Sequence, residues 1–268
     1  MRLALDHLTA VDATPLELAS EARAAGCDGL CAFLRSMDVL PLMPAFDLVT
    51  DLQARQEFRR RIDDLGLTFE LAYPFTLTGR SEPADLLADL ECAAVLGARR
   101  INVLVYDRDP MRRQDGFAGL CELAQGFGLA VVVEFFPASQ VRSLAQALDL
   151  VTPLASPGRV GINADLLHLV RSGGSCAELA AAPAGSILFG QFADGLLRIP
   201  EANWHSEASF GRLLPGEGSF DLRGFAASLP GDCPISIEVP RDADARAGMP
   251  RAERVRRAVD GLRRALAA

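Results

Sequence analysis

Four polar residues in this sequence each close an otherwise apolar run: Glu134 after Ala130-Val131-Val132-Val133, Asp165 after Val160-Gly161-Ile162-Asn163-Ala164, Gln191 after Ile187-Leu188-Phe189-Gly190, and Glu238 after Ile235-Ser236-Ile237. Short apolar runs bounded by turn residues read as buried strands, so a carboxylate or amide at the last position needs a reason. Three carboxylates gathered at one point repel one another and are driven to take up protons. A divalent cation removes that conflict. Oxygen-only ligation, with Gln191 binding through its carbonyl, is hard and favours one Mg2+ or Mn2+, with Co2+ and Zn2+ also admissible. For any one acid alone the competing explanation is a helix cap or an arginine partner; four at matching positions point together to a metal site.

Other groups belong to the same chemistry by position. His168 follows Asp165 by three residues, which on a helical turn puts both on one face and makes His168 a candidate general base or substrate ligand. Arg212 opens Arg212-Leu213-Leu214-Pro215-Gly216-Glu217-Gly218, a tight loop, and is the candidate substrate anchor, able to grip a carboxylate or phosphate bidentately. Pairing of Arg212 with Asp194 or Glu217 is the alternative. His7, just after the first apolar run, is a further substrate-binding candidate, without a partner motif. Tyr73-Pro74-Phe75 reads as pocket wall with Tyr73 facing substrate, and Glu70 as a paired core acid. The 195–211 segment, with Trp204 and His205, reads as a polar loop that is either a lid or surface, and Asp107-Arg108-Asp109 as a second loop near the pocket.

The elements that must position these residues follow a recurring pattern. Gly26, Gly66, Gly97 and Gly128 each stand between an amphipathic segment and a short apolar run, the signature of a helix, a left-handed cap and a buried strand. Thr14-Pro15-Leu16-Glu17 marks a helix start, with an N-cap threonine, proline at the first position and glutamate at the third, and Ser81-Glu82-Pro83 opens another. Strands are expected at 3–6, 28–33, 67–71, 101–105, 129–134, 160–165, 186–192 and 234–238, with later helices near 139–151, 221–229 and 250–266. Eight alternating strands and helices predict an α/β fold of one (β/α)8 TIM barrel over residues 1–268. No Gly-x-Gly-x-x-Gly follows the first strand, so a dinucleotide site has no support. In such a barrel the strand ends collect on one face, and Glu134, Asp165, Gln191 and Glu238 close four consecutive strands.

Composition narrows the partners. The formal net charge of -8 works against binding a phosphate backbone, so no nucleic-acid partner is expected. All 27 basic residues are arginine, which excludes Schiff-base chemistry and a P-loop lysine. The six cysteines contain no Cys-x-x-Cys and read as small buried hydrophobes. No apolar run approaches the roughly 20 residues of a membrane span, and the beginning of the chain lacks a signal-peptide pattern, so a cytoplasmic protein with a small-molecule substrate and no membrane partner is expected. A homodimer is the default expectation for assembly.

Taken together, Val-Glu at the fifth strand, Asp-x-x-His at the sixth, Gln-x-x-Asp at the seventh, Arg-x-x-Pro-Gly-Glu-Gly and Ile-Glu at the eighth resemble the sugar phosphate isomerase/epimerase family of xylose isomerase-like barrels. The resemblance runs from about the third strand to the end and is weak over the first sixty residues. It implies Glu134, Asp165, Gln191 and Glu238 as metal ligands, with Gln191 where that family commonly has histidine, and an isomerase or epimerase of carbohydrate metabolism in which Glu134 and Glu238 act as acid and base. The same glutamine-containing set, His168 and the Arg-x-x-Pro-Gly loop are also similar to bacterial 3-dehydroshikimate dehydratases, in which case the reaction is a lyase and His168 the base. In those enzymes Tyr73 is matched by glutamine. Both chemistries remove a proton alpha to a carbonyl and pass through an enolate. The superfamily's DNA repair endonucleases bind three zinc ions through many more histidines than the three present here.

Overall fold

The eight apolar runs form eight parallel strands: β1 (Leu3–Asp6), β2 (Gly29–Phe33), β3 (Thr68–Leu77), β4 (Arg100–Val105), β5 (Ala130–Glu134), β6 (Val160–Asp165), β7 (Ile187–Phe192) and β8 (Ile235–Ile237). Each pairs with the next and β8 pairs with β1, so the sheet closes on itself with helices outside. A computed structural model describes residues 2–154 and 156–267 of the chain.

Period-two alternation explains why the strands look apolar throughout. On β5, Val131 and Val133 face the large core between sheet and helices, while Val132 packs inside the barrel with Ala4, Cys31, Leu71, Tyr73 and Phe189. The inward set is thus apolar at mid-height and polar above it, because Glu134 follows Val132 by two and Gln191 follows Phe189 by two. The four expected helix-stopping glycines all have positive φ, between 62° and 76°. At Gly66 nothing lies within 4 Å of an added Cβ, so backbone conformation alone requires glycine there.

The strand and helix boundaries fall close to expectation, with three differences, the first being that the helix expected near 139–151 begins at Leu144, capped by Ser143. β3 runs on to Leu77, past Pro74, because its pairing with β4 is irregular between Ala72 and Phe75 and the missing proline N–H is not needed there. The 195–211 segment is not wholly a loop: Trp204–Phe210 is a short helix preceded by a 3-10 turn. Glu70 is the paired core acid expected, 1% exposed and bonded to Arg100 at 2.8 Å. No helix of the described residues is long and apolar enough to cross a membrane.

Candidate active site

At the carboxyl ends of the strands lies a cavity of about 320 Å³. Its floor carries Glu134, His168, Arg212, Glu238 and Asn102, and its walls carry the aromatic residues Phe33, Tyr73, Tyr106 and Phe136. Asp165 and Gln191 lie just beneath, fully buried. Register accounts for the convergence, since Glu134 stands opposite Asn163, Asp165 opposite Gln191, and Gln191 opposite Ser236, two residues before Glu238.

Asp165 has three tasks at once. Its Oδ1 caps the helix Leu166–Arg171 by accepting from Leu167 N at 2.7 Å and His168 N at 3.3 Å. Its Oδ2 accepts from Arg212 Nη1 at 2.7 Å. The cap in turn fixes His168, whose Nε2 lies 3.4 Å from Glu134 Oε1 and 3.8 Å from Asp165 Oδ2, with its ring against Phe136. Cap, arginine partner and site member, offered by the sequence as competing explanations, coincide in one residue.

Arg212 is 2% exposed and spans the floor, donating from Nη2 to Glu238 Oε1 at 2.6 Å, from Nη1 also to Glu238 O at 3.4 Å, and from Nε to Ala208 O at 3.0 Å. Of its five N–H groups four are engaged within the protein, so Arg212 has no second N–H free for the bidentate clamp expected from sequence. The alternative partners are otherwise engaged. Asp194 accepts from the amides of Gly195, Gly216, Gly218 and Phe220 and so folds the Pro-Gly-Glu-Gly loop. A Cβ at Gly218 would stand 2.2 Å from Asp194 Oδ1, which is why that position is glycine. Glu217 instead meets Arg241 and Arg257.

His7 is placed away from the cavity, contrary to its substrate-binding expectation. It is wholly buried between Phe33 and Phe46, with Nε2 bonded to Ala13 O at 3.0 Å and Nδ1 accepting from Phe33 N at 3.3 Å. Burial pushes its pKa down to about 4. Tyr73 does line the cavity, but its hydroxyl donates to Asp6 Oδ2. Asp107, bonded to Arg112, and the neighbouring Arg108 and Asp109 stand outside the cavity wall.

Asp6 is the member that sequence reasoning missed. β1 closes the barrel against β8, which brings the Asp6 carboxyl within 3.2 Å of Gln191 Nε2. The only signal in the sequence was its place as the last residue of the first strand. Asn102 and Asn163 were missed as well, each a lone amide within an apolar run.

The electrostatics of the floor are unbalanced. Four buried carboxyl groups (Asp6, Glu134, Asp165, Glu238) face one guanidinium and one imidazole. Burial raises Asp6 to about 7 despite the Tyr73 hydrogen bond, and raises Glu238 well above the carboxylate range despite Arg212. Burial also opposes ionisation of Asp165, but Arg212 and His168 beside it hold its pKa below the usual value. An excess of buried negative charge is what a divalent cation neutralises. Glu134, Asp165 and His168 each offer an atom within 4.8 Å of the others. Glu238 and Gln191 stand alongside, bonded to each other and, for Glu238, to Arg212. The donor set fits a hard cation, with one adjustment at Gln191, whose amide nitrogen rather than its oxygen faces the carboxylates.

A family model described as xylose isomerase-like TIM barrel matches residues 19–265. A 3-dehydroshikimate dehydratase of Pseudomonas aeruginosa is 31% identical over 226 residues, covering 78% of this chain and 34% of that protein. The chain thus spans about a third of the length of the curated relative it matches. Among solved structures, the IolI protein with a bound zinc atom superposes with a TM-score of 0.79 at 18% identity, covering 100% of this chain and 98% of that one. A D-psicose 3-epimerase, solved in the presence of D-fructose, superposes with a TM-score of 0.72 at 14% identity, covering both chains fully at 100%. These two likenesses concern the fold.

Proposed function

The chain belongs to the xylose isomerase-like TIM barrel family, and from that premise we propose that it is a divalent-cation-dependent lyase that dehydrates a small cyclic hydroxy ketone bearing a carboxylate, of the 3-dehydroshikimate type. The observation that carries this reading is the combination of an acid, imidazole and guanidinium floor with four aromatic residues on the wall. Aromatic faces suit a flat ring better than an open-chain polyol, which needs many polar partners. The dehydratase relative supports the same choice.

Glu134, Asp165, Gln191 and Glu238 would hold the cation, which supplies polarisation of the substrate carbonyl. His168, oriented by the Asp165 cap and 3.4 Å from Glu134, takes the proton alpha to that carbonyl. The proton that His168 takes up passes to the departing beta-hydroxyl, which leaves as water. The spare N–H of Arg212 anchors the substrate carboxylate, and Phe136 and Tyr106 cover the ring and keep water from the enolate.

A second reading, sugar isomerisation or epimerisation, is favoured by Glu134 and Glu238 reaching the cavity from separate strands as a two-carboxylate acid and base pair. Incubation in D2O with 3-dehydroshikimate and with keto sugars, in the presence of Mg2+, Mn2+, Co2+ or Zn2+, separates the two. Chelator-sensitive loss of water with a new aromatic absorbance is the expected result. Solvent deuterium in recovered sugar, with no dehydration, would replace the first reading by the second.

A further inference from the structure

Three amides, Asn102, Asn163 and Gln191, form a chain through the barrel that joins Glu134 to Glu238. Asn102 Nδ2 donates to Glu134 Oε2 at 2.5 Å. Asn163 Nδ2 donates both to Asn102 Oδ1 at 3.2 Å and to Gln191 Oε1. Gln191 Nε2 donates to Glu238 Oε2. Both ends of the chain therefore present N–H to a carboxylate, and the direction of donation reverses at Asn163. One atom is left over by that reversal. Asn163 Oδ1 is buried with no hydrogen-bond partner among the described residues, on a side chain with no exposure. An unpaired buried carbonyl is retained at a cost, and such an atom calls for an explanation.

We propose that Asn163 is a positioning residue: when Gln191 turns its carbonyl oxygen toward a divalent cation, the Asn163 amide turns with it, so that Oδ1 meets the Gln191 amide nitrogen and Nδ2 takes the place where Oδ1 now has no partner. The inference rests on the metal reading above. An N–H aimed at the carboxylates cannot ligate, so Gln191 serves as a ligand only with its amide end for end. The two ends of an amide are nearly equal in size, so the turn requires no repacking. Gln191 Nε2 then faces Asn163, which accepts once its own amide has turned. The change passes to Asn102, whose nitrogen meets Asn163 Oδ1 in place of Glu134 and whose oxygen then faces Glu134 Oε2, so that two acceptors meet and the glutamate must swing away toward the cavity. A three-amide chain thus lets both glutamates and the glutamine change partners together. Histidine at position 191 would present a ring nitrogen without any turn, and Asn163 would then have no such task.

The test is Mn2+ affinity, measured by isothermal titration for the wild type, Asn163→Leu and Asn163→Ala, each also in a Gln191→His background. Far-UV circular dichroism and Tm in chelator check the fold, and Asn163→Ala serves should the leucine variant not fold. In the wild-type background either substitution is expected to weaken Mn2+ binding by about tenfold to a hundredfold, the usual effect of losing a support behind a ligand. In the Gln191→His background the same substitution should change affinity by no more than about twofold, the range of independent sites. Undiminished affinity in the Asn163 variants overturns the role of Asn163 and leaves the metal reading standing. Equal losses in both backgrounds mark a general packing defect and also overturn it. A wild type that binds no Mn2+ overturns the metal reading and this inference with it.

Discussion

Arg212 Nη1 donates to Asp165 Oδ2 at 2.7 Å, across 47 residues of sequence, at the floor of a cavity where four carboxyl groups meet. The guanidinium is the one permanent positive charge among them, so its removal exposes the imbalance that the rest of the site must manage.

Arg212→Met is expected to destabilise the fold by roughly 3–5 kcal/mol, the usual result of leaving buried acids without their partner. Because Asp165 and Glu238 are then free, Mn2+ should raise Tm more in this variant than in the wild type. Thermal melts with and without Mn2+ read both effects; an unaltered melt in chelator would contradict the pairing.

Chelation alone should lower the Tm of the wild type. A cation at about 100 times its Kd contributes about 2.7 kcal/mol, and that corresponds to a shift on the order of 5 °C in a chain of this size. Elemental analysis should return about one divalent ion per chain after reloading, and a melt indifferent to chelator and reloading would count against the site.

Glu134→Gln and Glu238→Gln keep the shape of each side chain and remove its charge. Each should lower turnover by about two to four orders of magnitude, the scale of acid and base catalysis, and reduce cation content with the fold intact. Full activity and full metal content in both variants would remove these residues from the mechanism.

His7 gives the protein a pH dependence in its stability. Its folded pKa is pushed down from 6.5 to about 4 by burial, with Asp12 and Arg251 the charged groups acting on it. Below pH 6.5 the unfolded chain takes up a proton that the folded chain refuses, so this contribution is present above that pH and is lost as pH falls toward 4. The loss amounts to roughly 3 kcal/mol when complete. Urea unfolding at neutral and mildly acid pH should show His7→Gln losing less stability on acidification than the wild type.

Glu207→Gln should act on binding. Arg171, on the helix that carries His168, grips Glu207 with two hydrogen bonds of 2.7 and 2.6 Å, and Glu207 lies on the short helix that brings His205, Ala208 and Ser209 to the cavity. Weakening that grip should raise KM several-fold and leave Mn2+ affinity unchanged, as steady-state kinetics and titration would show. A drop in kcat alone would argue against a role in holding the cavity wall.

The sequence by itself determined the barrel and one rim of its site. Runs such as Ala130-Val131-Val132-Val133 and Ile187-Leu188-Phe189 are apolar on both faces and so require a covered parallel sheet, and glycines such as Gly66 mark where each helix must stop. Because parallel strands end on one face, Glu134, Asp165, Gln191 and Glu238 belong to a common end on sequence grounds. Only the tertiary structure decided what those residues touch. Closure of β1 on β8 brought Asp6 to Gln191, and register across β4 to β7 linked Asn102, Asn163 and Gln191, contacts between residues far apart in the chain. His7 stood one residue beyond Asp6 yet was turned into the wall by Ala13 and Phe33, while Arg212 reached Asp165 and Glu238 instead of its nearer acids. The physical reason is that period-two alternation fixes the face a side chain takes, whereas its partners depend on barrel closure, register and the loops above.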